Sequence, residues 1–546
     1  MPTAQPPGPS RTTRTADPSA PVRAPRPRRP DHYASAAAVR EASSPVGTAV
    51  RRRPDTAAPS RTPSTPRTPP RYWLRLLPAL LVLTVATRLP SFQRPVWNPD
   101  EGFLATQARM LAAGGTLYDN VVDRKPPLLP WLYRGAFAVF GDDSLWPLRT
   151  LAVLAVLATA TFAAALARRR WGPRAGAVAG VLCVLGSVGL NPEDAQAATF
   201  EVFMLPFTAA AVWAADRRRW VVAGLAVAGA LLVKQTGGAV LLPVLYLAWA
   251  RTDPGPDGGR RRALLRVLAA FAAPLLAVAL ANDVSRTLFW TVTGSGSYAT
   301  FTGSELHVLS RGLANTALFA AGAGGLLLPL AVVLRRGLPH RRVLTTDVWL
   351  WLGVSALGVL TGFHFFGHYY LQLVPPLAVL AAGALTLLTV DWLRLTAVVS
   401  AVLCTVFVAW GSHAGQADLD HARRVADAVR KETRAQDTVL IWGMHPETYW
   451  LADRMPASRY LTAGLLTNYS GGRDGPRVGE EYGMERSWPT LMAELVADPP
   501  RLIVDDSRGK PYRPARMPRL QRLLDSRYVL VGEVDGALFY TREPPR

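Results

Sequence analysis

Cysteine is nearly absent from this chain: its 546 residues include two, Cys183 and Cys404, and both lie inside apolar runs. A disulfide framework is thereby excluded, and the pair read as small core residues. Zinc-finger spacing is missing, as is any basic motif interleaved with aromatics, so no nucleic-acid partner is expected. No apolar segment lies near Met1, so no cleaved signal peptide is expected there. Acid is scarce as well: 39 Asp and Glu against 61 Lys and Arg leave a formal net charge of +22. Neither half of the sequence repeats the other, which argues against the internal symmetry of many secondary transporters.

Apolar residues, by contrast, make up 49% of the chain. High charge and high hydrophobicity coexist by segregation, because long apolar runs alternate with short Arg clusters. A spanning helix needs roughly 20 mostly apolar residues, since hydrocarbon cannot satisfy open backbone groups. Runs of that kind fall at about 74–89, 145–167, 174–190, 197–215, 219–233, 236–250, 263–282, 312–334, 347–363, 369–390 and 393–411. The reading is a polytopic α-helical membrane protein with about 11 transmembrane helices.

The Arg clusters set the orientation. Arg168-Arg169-Arg170, Arg217-Arg218-Arg219, Arg260-Arg261-Arg262 and Arg335-Arg336 with Arg341-Arg342 all fall between alternate pairs of spans. Positive residues stay on the cytoplasmic side. The N-terminus is therefore expected inside the cell, and the chain after the last span outside it. Residues 1–70, rich in Pro, Arg, Ser and Thr, read as a disordered basic cytoplasmic tail that touches anionic lipid. Residues 71–412 form the membrane domain. From 413 to 546 the pattern changes to a polar helix over 418–434 and short β runs at 438–442, 502–504, 528–531 and 538–540. That alternation predicts a small extracytoplasmic α/β domain. The Ala, Arg and Pro bias fits a high-GC bacterium, hence a plasma membrane.

The chemistry-bearing residues gather in the first loop. Asn98-Pro99-Asp100-Glu101-Gly102 follows the first span, and Asp123-Arg124-Lys125-Pro126-Pro127 follows an amphipathic stretch over 103–113. A second such stretch, 128–140, carries Trp131, Tyr133 and Phe137, which suit a membrane interface. A carboxylate pair and a cation at a membrane surface are suited to activating an acceptor and holding a phosphate. Taken alone, Asp100-Glu101 reads better as a helix cap with acid at the helix N-terminus, and both roles can hold together. Glu201 and Lys234 are ionisable groups inside or at the ends of spans, where such groups face a cavity or a partner. His364 and His368 have a spacing that ligates metal on a helix, although interfacial hydrogen bonding explains them more simply. Tyr369, Tyr370 and Gln372 suit either a sugar site or the aromatic belt. Glu193 and Asp194 read as a plain pair of acids in an outer loop.

In sequence come a span, Pro99-Asp100-Glu101, a helix, Lys125-Pro-Pro-Leu128, a second helix and Trp146-Pro-Leu-Arg149. That order, with Ala198-Thr-Phe-Glu201, Leu232-Val-Lys234-Gln235 and His368-Tyr-Tyr-Leu-Gln372, resembles the GT-C glycosyltransferases over roughly residues 72–412. The similarity is to the family-39 group of protein O-mannosyltransferases and aminoarabinose lipid A transferases. The resemblance implies a GT-C-like fold with interfacial helices in the first outer loop. It also implies a polyprenyl-phosphate-linked sugar donor, an extracytoplasmic acceptor and inversion at the sugar carbon. Carried over, Asp100 is the general base, with Glu101 positioning the nucleophile or a cation. Lys125, with Arg124, meets the leaving phosphate, and Glu201, Lys234, His368, Tyr369, Tyr370 and Gln372 surround the substrate. Phe103 stands where aminoarabinose transferases carry Arg, and Arg124 where many relatives carry an acid, so a divalent metal and the sugar stay open. Two other classes compete: a transporter or lipid flippase, and a non-catalytic cell-envelope assembly protein.

Overall fold

The structure is a computed structural model, which describes residues 71–253, 258–294, 304–337, 344–361, 363–473 and 475–542. The tail over 1–70 and Arg341-Arg342 lie outside the described residues. Among the described residues, five helical stretches are long and apolar enough to cross a membrane, and a bent pair makes a sixth. Several further apolar helices run only 10–17 residues, Pro173–Gly186, Trp220–Val233 and Thr346–Leu360 among them. The chain is mostly helical with a small sheet domain.

Small residues let these helices approach closely. Trp146–Trp171 lies against Pro173–Gly186, where a Cβ on Gly180 would stand 3.2 Å from the Cβ of Ala164. Such contacts suit lipid, where dispersion between close backbones replaces the hydrophobic drive. One expected span departs from its reading. The 312–334 run is two helices, Glu305–Gly322 and Gly324–Arg335, that meet at 82°. The bend falls in a small-residue stretch, and Gly322 lies against the backbone of Gly189, too close for a side chain on either.

A buried ion network closes the end of the bundle opposite the first loop. Arg170 Nη2 reaches Asp216 at 2.8 Å and Asp347 at 2.5 Å, and Arg251 Nη1 reaches Asp216 at 2.9 Å. These residues terminate four different helices, so their ends share one level. Part of the Arg clustering therefore has a structural task. Paired charges tolerate burial far better than single ones.

Beyond the helix Val390–His413, the polar helix appears as Ala417–Glu432. A five-stranded sheet follows: β1 Thr438–Trp442, β2 Met455–Pro456, β3 Leu502–Asp505, β4 Tyr528–Val534 and β5 Ala537–Arg542. The order is β2-β1-β3-β5-β4, with β1 parallel to β2 and β3, and β5 antiparallel to β3 and β4. Central β3 is buried throughout and β1 nearly so, which explains their continuous apolar runs.

The amphipathic stretch after the first span is the helix Pro99–Ala112, and it is not left open on an interface. Leu104, Ala105, Ala108 and Leu111 are buried, and the short helix Glu447–Ala452 roofs it. A Cβ on Gly102 would collide with the backbone of Glu447. Arg109 adds a cross-tie, donating to Asp142 at 2.5 Å and to the carbonyl of Trp450 at 3.2 Å. Arg459 donates to the carbonyl of Asp119 at 2.6 Å. The sheet domain thus grips the first loop directly.

Candidate active site

Local sequence sets the two acids apart. Asn98 caps the Pro99–Ala112 helix by accepting from the Glu101 amide at 3.2 Å, and Pro99 occupies the first helical position. Successive helical residues point about 100° apart, so Asp100 and Glu101 serve different surroundings. Glu101 is wholly buried. Its Oε2 accepts from the Trp97 amide at 2.7 Å and from Arg149 Nη2 at 3.2 Å, and its Oε1 accepts from the Ala198 amide at 2.7 Å. Arg149 also donates to the carbonyls of Arg94 and Pro95, the latter at 2.8 Å. Glu101 therefore joins three segments, and both its oxygens are engaged. Asp100 remains half-buried at the loop surface.

Asp100 has a neighbour that sequence reading passed over. Asp123 keeps part of its surface accessible, but its carboxyl group is surrounded by protein. Burial raises its pKa to about 6, Lys125 opposes that rise, and the charge of Asp100 adds to it. Two carboxyl groups thus influence each other across this loop, with Lys125 between them and the bundle. Lys125 Nζ stands 4.7 Å over the Phe200 ring, and its carbonyl accepts from Tyr118 Oη at 3.0 Å. The carbonyl of Arg124 accepts from Gln235 Nε2 at 2.6 Å, which ties the loop to the helix break after Lys234.

Phe200 leads to Glu201, which forms a buried ion pair with Lys234. Lys234 Nζ also lies 3.8 Å from the centre of the Tyr369 ring. Among the described residues, Glu201 Oε2 is buried with no hydrogen-bond partner. His368 Nδ1 donates to Asp194 Oδ1 at 2.7 Å, and its ring lies parallel to Phe366. Asp194 is thereby a buried partner rather than a plain outer-loop acid. The charges of His368, Lys125 and Lys234 all act on Glu201, and Asp100 acts on Lys234. Glu201, Lys234, Tyr369 and His368 thus lie in one run of contacts, and the charges of Lys125 and Asp100 act on it.

The remaining expected residues sit differently. Tyr370 Oη shares a hydrogen bond with Thr316 Oγ1 at 2.8 Å. Gln372 Nε2 donates to the carbonyl of Tyr369 at 2.9 Å and lines a void of about 10 Å³ with Met204, Thr236 and Trp351. That volume suits about one water. Arg124 enters the geometry above through its carbonyl. His364 lies in irregular chain, so His364 and His368 do not share a helix face. Among the described residues no three His, Cys, Asp or Glu side chains converge as a metal ion would require.

Residues 124–280 match the family model of dolichyl-phosphate-mannose-protein mannosyltransferases. The chain is similar to the crystal structure of ArnT from Cupriavidus metallidurans bound to undecaprenyl phosphate. That likeness has a TM-score of 0.55 and 16% identity, over 86% of this chain and 98% of the other. It is also similar to the archaeal oligosaccharyltransferase AglB from Archaeoglobus fulgidus, solved with an inhibitory peptide and a dolichol-phosphate. There the TM-score is 0.50 and the identity 12%, over 87% of this chain and 74% of the other. No curated protein matches the chain by sequence. At these identities the structural likeness establishes the fold.

Proposed function

From the premise of a GT-C fold resembling the O-mannosyltransferases and aminoarabinose transferases, we propose a sugar transfer outside the cytoplasm. The donor is a polyprenyl-phosphate-linked sugar, and Asp100 is the general base. The observation that carries the reading is the division of labour between two adjacent acids. Glu101 is saturated by three donors, whereas Asp100 stays accessible beside Asp123 and within the field of Lys234. An acceptor hydroxyl is a poor nucleophile at neutral pH, and a carboxylate within reach removes its proton as the bond forms. The acceptor oxygen attacks the sugar carbon, the bond from that carbon to the phosphate oxygen breaks, and the lipid phosphate leaves with its electron pair.

Lys125 meets that developing charge, because a fixed cation in a site shielded from water stabilises a leaving phosphate strongly. Glu201 Oε2, buried and without a protein partner, is placed to accept a hydroxyl of the donor sugar. The orientation that fits is N-terminus inside and sheet domain outside. The clustered acids in one loop speak against a transporter or flippase, whose ionisable groups lie near mid-membrane. The test is Asp100→Asn in a transfer assay with a polyprenyl-phosphate sugar. Loss of a general base lowers the rate by about 10²–10⁴-fold. Activity within a few-fold of the parent would overturn the assignment.

A further inference from the structure

The sheet domain holds a second polar cluster that the transfer chemistry does not use. β1 continues through Glu447–Ala452 to β2 on one side, while β3 leads to β4 and β5 on the other. The chain therefore diverges above the C-terminal ends of β1 and β3, the kind of crevice where open α/β sheets bind ligands. His445 and Glu447 follow β1, Asp506, Ser507 and Arg508 follow β3, and His421 reaches in from Ala417–Glu432. The residues interlock. His421 Nε2 lies 2.8 Å from Asp506 Oδ1, His445 Nδ1 lies 3.0 Å from Glu447 Oε1, and Arg508 Nη2 lies 2.9 Å from His445 Nε2. The two imidazole rings are 5.6 Å apart.

Two buried oxygens in this cluster are left over. Among the described residues, Glu447 Oε2 and Asp506 Oδ2 have no hydrogen-bond partner, although their residues are only 3% and 1% exposed. A buried acceptor without a donor costs about 1–3 kcal/mol, so such groups call for a ligand or ordered water. The charge balance narrows the choice. Arg508 and the two histidines disfavour a cation, while Glu447, Asp506 and Asp535, whose Oδ2 lies 3.6 Å from His421 Nδ1, disfavour an anion. A neutral molecule with several hydroxyl groups satisfies the open carboxylate oxygens and takes donors from Arg508. Glu447 also lies against Gly102, two residues from Asp100.

We infer that this crevice is a subsite for a neutral glycan acceptor, which it presents to the Asp100 helix. This rests on the transferase reading above. The test is saturation-transfer NMR on the full chain in detergent micelles with methyl α-mannoside, against glucosamine and mannose 6-phosphate. Methyl α-mannoside gives a signal that Glu447→Gln and Asp506→Asn each weaken about fivefold, the worth of one hydrogen bond. The two charged sugars give less signal than methyl α-mannoside. Absence of a methyl α-mannoside signal, a signal indifferent to both crevice variants, or a stronger signal from either charged sugar overturns the inference. Polyprenyl-phosphate binding, measured on the same preparations, keeps the two readings apart. A saccharide signal without lipid-phosphate binding removes the transferase reading and leaves the sugar site.

Discussion

The adjacent acids of the first loop should fail in opposite ways when each loses its charge. Consider Glu101→Gln. The carboxylate offers two oxygens to three donors: the amides of Trp97 and Ala198, and Arg149 Nη2. A carboxamide offers one oxygen and turns an NH₂ group toward at least one of those donors. Some buried N–H then loses its acceptor, at about 1–3 kcal/mol. Arg149, 1% exposed, also loses the only carboxylate it pairs with among the described residues. Breaking one side of a buried ion pair costs about 3–5 kcal/mol. These costs overlap, so the expectation is about 3–5 kcal/mol, a large share of the stability of a typical domain.

Asp100→Asn removes no buried partner, and asparagine is as well tolerated in a helical first turn. Two measurements on each variant decide the matter: the thermal unfolding midpoint in detergent, and the transfer rate at saturating acceptor. Glu101→Gln lowers the midpoint by several degrees, and its activity falls along with the folded fraction. Asp100→Asn keeps the midpoint and loses the rate. A Glu101→Gln protein with the parent midpoint and a selectively depressed rate would refute the division of roles.

Lys125→Ala should slow transfer more than Arg124→Ala, and Lys125→Arg should recover little if a compact ammonium meets one phosphate oxygen. The rate as donor concentration varies is the readout, and a larger loss for Arg124→Ala assigns the phosphate to Arg124. Asp123 has a folded pKa of about 6 against an ordinary value of 3.8, so folding favours its protonated form. Its contribution to stability is therefore present below pH 3.8 and is lost as pH rises through 6. The ceiling is about 3 kcal/mol, from 2.2 units at about 1.4 kcal/mol each. Asp123→Asn should accordingly flatten the fall in unfolding midpoint between pH 4 and 7, and a parallel fall in parent and variant would count against it. Reporters fused after Arg170 or Arg262 should read cytoplasmic and one after His413 external. An internal signal from the last reverses the orientation.

Periodic features were legible in the sequence, and pairwise ones were not. The strands at 438–442, 502–505, 528–534 and 537–542 follow from apolar runs of strand length, and the sequence pattern located all four within a few residues. Asp100 and Lys125 stand out because charge in a short loop between apolar runs is unusual. The task of Glu101 depends on Ala198, 97 positions away, and on Arg149, 48 away. No local pattern reveals either contact. Asp194 looked like ordinary loop acid because His368, its partner, lies 174 positions on. Asp123 was in view as the residue before Arg124-Lys125, yet burial alone makes it distinctive. The bend at Ala323 was hidden for another reason: apolar composition continues across it, while the direction of the chain does not.

The first loop is fixed from three directions, which bears on how its charges act. Glu101 and Arg149 hold it from within the bundle, and Gln235 holds the carbonyl of Arg124 from the side. The helix over Gly102 and the hydrogen bond from Arg109 to the carbonyl of Trp450 hold it from the sheet domain. Loops normally move, and a charge that moves with its loop must reorganise at the moment of reaction. A clamped loop lets Asp100 and Lys125 keep their positions, which is the condition for electrostatic stabilisation to exceed what water provides. The clamp has a second effect. Held near Asp100, Asp123 cannot ionise as readily as a free carboxylate, since burial and the neighbouring charge both oppose it. Two like groups in one place are thereby made unlike, and Asp123 is the one whose ionisation the fold opposes.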